Sequence, residues 1–229
     1  MERVFLDAAH ELRTPLTRIR GEIDLILRSD VSDPPRSQLE RIQEDLERLS
    51  RLCGRLLLLA RLDRQAGDAG LPSDEVDLEG LVSELLEQMT PLAQDCAVSL
   101  RRGATSAARV RGSRPLLVEA LLNLLDYALR STPEGGPVSV SIDVDGNLVR
   151  VAVADGSLGI PPAERERILE RLDRTPRTPA GGTCGDDGND LGLAIVRGIA
   201  RVHGGRFELD EAPGGGSIFR LVLPACAVS

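Results

Sequence analysis

Residues 8–20, AAHELRTPLTRIR, set His10, one of two histidines in the chain, beside Glu11. Thr14 follows one turn later on the same helical face, with Pro15 next to it. An imidazole displayed on a helix is a competent nitrogen nucleophile near neutral pH, and a neighbouring carboxylate can take its proton or hold its tautomer. Pro15 offers no N–H to the carbonyl of its own turn and its ring crowds that carbonyl, so a bend is expected beside the imidazole. A lone surface histidine is more often merely solvated, and spacing alone leaves that inert alternative standing.

The elements that must carry His10 are legible in apolar spacing. Ala9, Leu12, Leu16, Ile19, Ile23 and Ile26 alternate threes and fours, the seam of a packed helix, with His10 on its flank. RSDVSDPPRS breaks that helix, and Leu39, Ile42, Leu46, Leu49, Cys53 and Leu56 repeat the seam in a second one. Two such helices make a hairpin that buries too little alone, so pairing with a second copy into a dimeric four-helix bundle is expected. RQAGDAGLPSDEVD (64–77) then loses the periodicity. The expected division is 1–66 for the hairpin, 67–76 for a linker and 77–229 for a second domain.

In that second domain 77–95 and 114–131 read as helices. PVSVSIDVDGNLVRVAVAD alternates on both sides of Asp145-Gly146-Asn147, a hairpin signal. A helix at 162–172, a mobile loop through TPRTPAGGTCGDDGND, a helix at 191–203 and strands near 206–211 and 217–223 complete the pattern. Helices on one face of a mostly antiparallel sheet, an α+β two-layer sandwich, is the economical architecture.

The totals exclude several classes. The net charge of −8 opposes nucleic-acid binding, which needs a basic face. With three Phe, one Tyr and no Trp, the core must be aliphatic. No apolar run is long enough to span a bilayer and no signal segment opens the chain, which reads as a cytoplasmic piece of a longer membrane protein. Cys53, Cys96, Cys184 and Cys226 lie far apart, so neither a metal site nor a disulfide framework is indicated, and Cys53 is expected to be a small buried hydrophobe. His203, at a helix end before Gly204-Gly205, reads as a capping cation favoured by the helix dipole.

The block His-Glu-Leu-Arg-Thr-Pro-Leu in FLDAAHELRTPLTRIR resembles the phosphoacceptor box of two-component sensor histidine kinases. The resemblance implies His10 as phosphoacceptor, Glu11 as assisting acid or base, and Thr14 as the residue that positions water for phosphatase chemistry. It also implies a homodimer, a response-regulator receiver domain as partner, and a second domain of the histidine-kinase ATPase type using Mg-ATP.

That second domain departs from the family pattern at defined positions. On EALLNLLDYALRST, Asn123, Tyr127 and Arg130 form one polar stripe, and Tyr127 stands where the resemblance calls for the Mg²⁺-binding asparagine. Ser131 follows where the family stacks a ring. In VADGSLGIP, Asp155 and Gly159 match the adenine-binding turn, while Ser157 replaces its middle glycine, an expected mild defect. In RILERLDR, Leu169 and Leu172 replace aromatics. In GNDLGLAIV, Gly188 and Gly192 match the phosphate loop and Asp190 replaces a glycine, reading as an N-cap that claims the N–H groups a phosphate would use. Three readings follow: a phosphotransfer dimer with impaired nucleotide binding, which is favoured; a fully ATP-driven kinase; and a non-catalytic scaffold.

Overall fold

The computed structural model describes residues 19, 21, 23, 36–65, 74–173, 187–212 and 214–226. His10, Glu11, Thr14 and Pro15 therefore lie outside the described residues, as does most of the expected loop. Of the first predicted helix, Ile19, Gly21 and Ile23 are described, and all three are helical. The chain divides into two compact units, the first running to Arg61 and the second comprising Leu62–Arg174 and Gly188–Ser229.

Helix α1 (Arg36–Gln65), which belongs to the first unit as far as Arg61, follows the second predicted seam. Leu46 is 53% exposed and Leu57 61% exposed, and Cys53 between them is exposed as well. The expectation of a buried Cys53 is thus corrected. It lies on a helix face that the described residues of one chain leave open. No described helix is long and apolar enough to cross a membrane.

The second unit is a helix-on-sheet sandwich. Strand β1 (Asp74–Asp77) leads into α2 (Leu78–Asp95), whose N-cap Asp77 accepts the N–H of Glu79 at 3.1 Å. Then come β2 (Ser99–Thr105), β3 (Arg109–Gly112), α3 (Arg114–Ser131), β4 (Pro137–Asp145) and β5 (Leu148–Ala154). Helices α4 (Pro162–Asp173) and α5 (Asp187–Val202) precede β6 (Arg206–Glu211) and β7 (Ser217–Pro224). Five strands form one sheet in the order β2-β4-β5-β7-β6, parallel between β2 and β4 and antiparallel elsewhere. β1 and β3 form a separate antiparallel pair.

The sheet's inner face follows strand alternation. Val149, Val151 and Val153 of β5 are fully buried, as are Phe219 and Leu221 of β7. Val82 and Leu85 of α2, Leu121 and Leu125 of α3, Val140 and Val153 meet around one small apolar space, which locates the helix layer against the strands. The β4–β5 turn has Asp145 opposite Leu148, and Gly146 at its first position takes φ 60°, the conformation a type II′ turn requires there.

Three local expectations are corrected. Asp74–Asp77, read as the end of the linker and the first helical residue, pair with Arg109–Gly112, and β2 and β3 occupy a stretch that offered no sequence signal. Helix α5 begins at Asp187 rather than 191, so Asp190 lies inside its first turn and is not its N-cap. His203 is 8% exposed, and burial lowers its pKa below the ordinary imidazole value, so it is a neutral interior group rather than a capping cation.

Candidate nucleotide site

Asp155 directly follows β5 and is buried, at 4% exposure. Its Oδ1 accepts three bonds: from Ser157 N–H at 3.0 Å, Ser157 Oγ–H at 2.7 Å and Ser217 N–H at 2.8 Å. Its Oδ2 is buried with no partner among the described residues, and so is the Oγ of Ser217 at the start of β7. A carboxylate oxygen only accepts, whereas a hydroxyl both donates and accepts. Two orphaned oxygens on adjacent strands therefore await a group carrying an N–H donor beside a polar neighbour, since leaving them dry costs free energy. The residues present fit an amino-substituted heteroaromatic ring such as adenine.

Backbone approach fixes this corner. Gly216 takes φ 91°, and a Cβ there would stand 2.1 Å from the carbonyl oxygen of Asp155. Gly159 takes φ 78°, and a Cβ there would stand 3.0 Å from the Gly216 carbonyl. Ser157 needs no positive φ, and its Oγ accepts the Gly159 N–H at 3.0 Å while donating to Asp155. The expected defect at Ser157 is corrected: its hydroxyl supports the turn. Thr132, just past α3, binds the Ala128 carbonyl at 2.7 Å and accepts Gly156 N–H at 3.3 Å, tying that helix end to the same turn.

The stripe on α3 contributes differently. Asn123 is 8% exposed, and its Nδ2 donates to the Glu119 carbonyl at 2.7 Å and to Glu119 Oε1 at 3.1 Å. These bonds orient the amide so that Oδ1 faces Gly192 of α5, where a Cβ would come within 3.0 Å of it. Asn123 and Gly192 are thereby brought together. Tyr127 instead packs against Phe219, ring centroids 4.9 Å apart and 63° between planes, an edge-to-face contact with the core. Arg130 points to Asp126 at 2.8 Å on the exposed side of the helix. Gly188 and Asp190 lie in the first turn of α5, and Leu169 is half-buried on α4. Among the described residues no cluster of three or more His, Cys, Asp or Glu could hold a metal ion.

Ser217 and Thr132 escaped the sequence reading. The signal was present for Ser217: a serine directly after three glycines, at a strand start, where a close backbone approach is needed.

Comparison with known proteins gives two family matches. Residues 1–65 match the His Kinase A (phospho-acceptor) domain, and 112–227 match the histidine kinase-, DNA gyrase B- and HSP90-like ATPase. The sensor-like histidine kinase SenX3 of Mycobacterium tuberculosis is 35% identical over 221 residues, covering 96% of this chain and 52% of its own length. The chain thus spans about half the length of the curated relatives it matches. Full-length ShkA, solved in complex with AMPPNP, superposes at TM-score 0.69 with 29% identity, covering 100% of this chain and 46% of that one. Histidine kinase ThkA, solved in complex with response regulator protein TrrA, shares the fold at TM-score 0.68 and 24% identity, over 95% of this chain and 60% of that one.

Proposed function

The chain belongs to the histidine kinases of two-component signalling, and from that premise we propose a histidine-phosphotransfer core whose second domain recognises adenine but lacks the amide that binds Mg²⁺. In this reading residues 1–66 form the dimerisation and phosphotransfer domain, 67–76 the linker and 77–229 the nucleotide-type domain. His10 exchanges a phosphoryl group with a response-regulator aspartate. The acyl phosphate P–O bond breaks as the N–P bond forms, and the reverse step returns the group. Glu11 takes or gives the proton, and Thr14 positions water for dephosphorylation. The regulator bound to ThkA supports that partner. The exposed Leu46, Cys53 and Leu57 on α1 support a second copy of the chain as the other partner.

One observation carries the reading: Tyr127 is turned onto Phe219 while the carboxylate of Asp155 keeps an oxygen free. Asp155 Oδ2 would accept the exocyclic amino group of adenine, with Ser217 Oγ beside it. Mg²⁺ demands near-octahedral oxygen ligands and favours carboxylate, amide and phosphate oxygens. A phenol packed edge-on against the core does not meet that demand, so the donor set does not fit the metal and no step is assigned to it. Asn123 Oδ1, facing Gly192, would remain as a neutral contact near the phosphates.

Calorimetric titration with AMPPNP, with and without Mg²⁺, tests this directly. Affinity is expected to be the same in both conditions, and Tyr127→Asn should make Mg²⁺ tighten binding by about tenfold, or about 1.4 kcal/mol. The same change should cost about 1 kcal/mol of stability through the lost ring pair. The intact Asp155 corner favours one competing reading, a fully ATP-driven kinase. Strong Mg²⁺-dependent binding by the wild type, with His10 labelled by γ-labelled ATP in a parallel incubation, would replace the present proposal by that one. Incubation with a phosphorylated receiver should label wild type and not His10→Ala; an unlabelled wild type would leave only a scaffold.

A further inference from the structure

His203 closes α5 with both ring nitrogens engaged. Nδ1 lies 2.7 Å from the Ile199 carbonyl oxygen, and Nε2 accepts the backbone N–H of Ser113 at 3.0 Å. A carbonyl only accepts, so Nδ1 carries the proton; Nε2 accepts, so it carries none. One neutral tautomer satisfies both partners. The ring also lies against Gly112, where a Cβ would stand 2.2 Å from Cδ2, so no side chain larger than hydrogen fits under it. Ser113 is the N-cap of α3 and makes no capping bond with its own side chain. The imidazole therefore joins the start of the helix that carries Asn123 and Tyr127 to the end of the helix that carries Gly192.

We propose that His203 is a positioning residue for the nucleotide site: neutral and protonated at Nδ1, it ties the end of α5 to the start of α3, and a second proton breaks that tie. The positioning role rests on the reading that this domain takes an adenine nucleotide. Protonated Nε2 would set one N–H against another, turning a bond into a donor–donor clash in a buried place.

The charged side chains on the elements around the ring do not oppose this. Within four residues of Gly112, Ser113, Ile199 and His203 they are Arg109 and Arg111 on β3, Arg114 on α3, Arg197 and Arg201 on α5, and Arg206 at the start of β6. Arg109 pairs with Glu75, Arg114 with Glu84, Arg201 with Asp63 and Arg206 with Glu208. None of them contributes to the lowered pKa of His203, which comes first from burial and is opposed in part by the Ile199 carbonyl bond. An unfolded imidazole titrates near 6.5. Between that value and the lower folded one, the unfolded chain binds more protons. The contribution to stability is therefore complete above about pH 6.5 and is lost as pH falls through the folded value.

Thermal melting of the full chain between about pH 5 and 8, with ADP titration near pH 7.5, tests the proposal in wild type, His203→Gln and His203→Leu. His10 is common to all three and cancels in their differences. Glutamine keeps a neutral donor and acceptor. Relative to His203→Gln, the wild-type midpoint should drop by roughly 2–4 °C as pH falls from the upper to the lower part of that range. His203→Gln should bind ADP like wild type, and His203→Leu, which keeps bulk without polarity, should bind about tenfold more weakly. Parallel pH curves for wild type and glutamine, or leucine binding ADP as well as glutamine does, would overturn the bridge. A wild type that binds no ADP would overturn the nucleotide reading and the positioning role with it, whereas the pH step judges the bridge separately.

Discussion

Around Asp155, three donors converge on one carboxylate oxygen, and Gly159 and Gly216 hold backbone conformations that side chains avoid. Along α3, by contrast, the site is a stripe of side chains on a regular helix, where Asn123 is anchored by Glu119 and half-buried Tyr127 packs edge-to-face with Phe219. The first region is fixed by backbone geometry, so replacing one of its glycines disturbs the fold. The second is fixed by side chains alone, so a substitution there changes chemistry and leaves the helix intact. Tyr127 stands in the tolerant region and Ser157 in the demanding one, where its hydroxyl serves the turn.

That contrast can be broken most severely at Gly216. Gly216→Ala drives a methyl against the Asp155 carbonyl at a position with φ 91°, and denaturant unfolding should show a loss of roughly 3 kcal/mol. A loss under about 1 kcal/mol would mean that the backbone there is not the constraint. Asp155→Asn sharpens the comparison next. Its oxygen can still accept from Ser157 and Ser217, so melting should barely move, while AMPPNP affinity falls roughly 10- to 100-fold by calorimetry. Equal weakening of fold and affinity would show Asp155 to be structural only. The smallest effect is expected at Ser157→Gly, about 1 kcal/mol of stability from a lost hydroxyl bond and added backbone freedom, with affinity unchanged. Improved binding in that variant would restore the idea that the serine hinders the turn.

Much of the second unit could be read in advance because its signals are local. Helix α3 begins at Arg114 with Pro115 in its first turn and ends at Ser131, the span the apolar pattern predicts. The β4–β5 hairpin turns where Gly146 stands. What escaped is non-local. β1 finds β3 across a helix, and β2 carries exposed Arg101 and Arg102 on a sheet edge, where alternation fades because neither side is fully buried. The donor convergence on Asp155 is likewise invisible in sequence, because Ser217 approaches from a distant strand. His203 misled for a related reason: its place at a helix end suggested a cation, and only packing against Gly112 reveals the burial that keeps it neutral.

The parallel pairing of β2 with β4 sets the order in which the sheet can close. β4 and β5 meet through a tight turn as soon as both exist, whereas β2 must wait until β3 and α3 have been laid across the intervening chain. Until then its amides face solvent as an open template, and afterwards its outer edge still does. Arg101 and Arg102, exposed on that strand, put charge on the edge, Arg102 held there by Glu79 of α2, and a charged edge discourages another chain from adding to it, so the least sequence-legible strand also guards against aggregation.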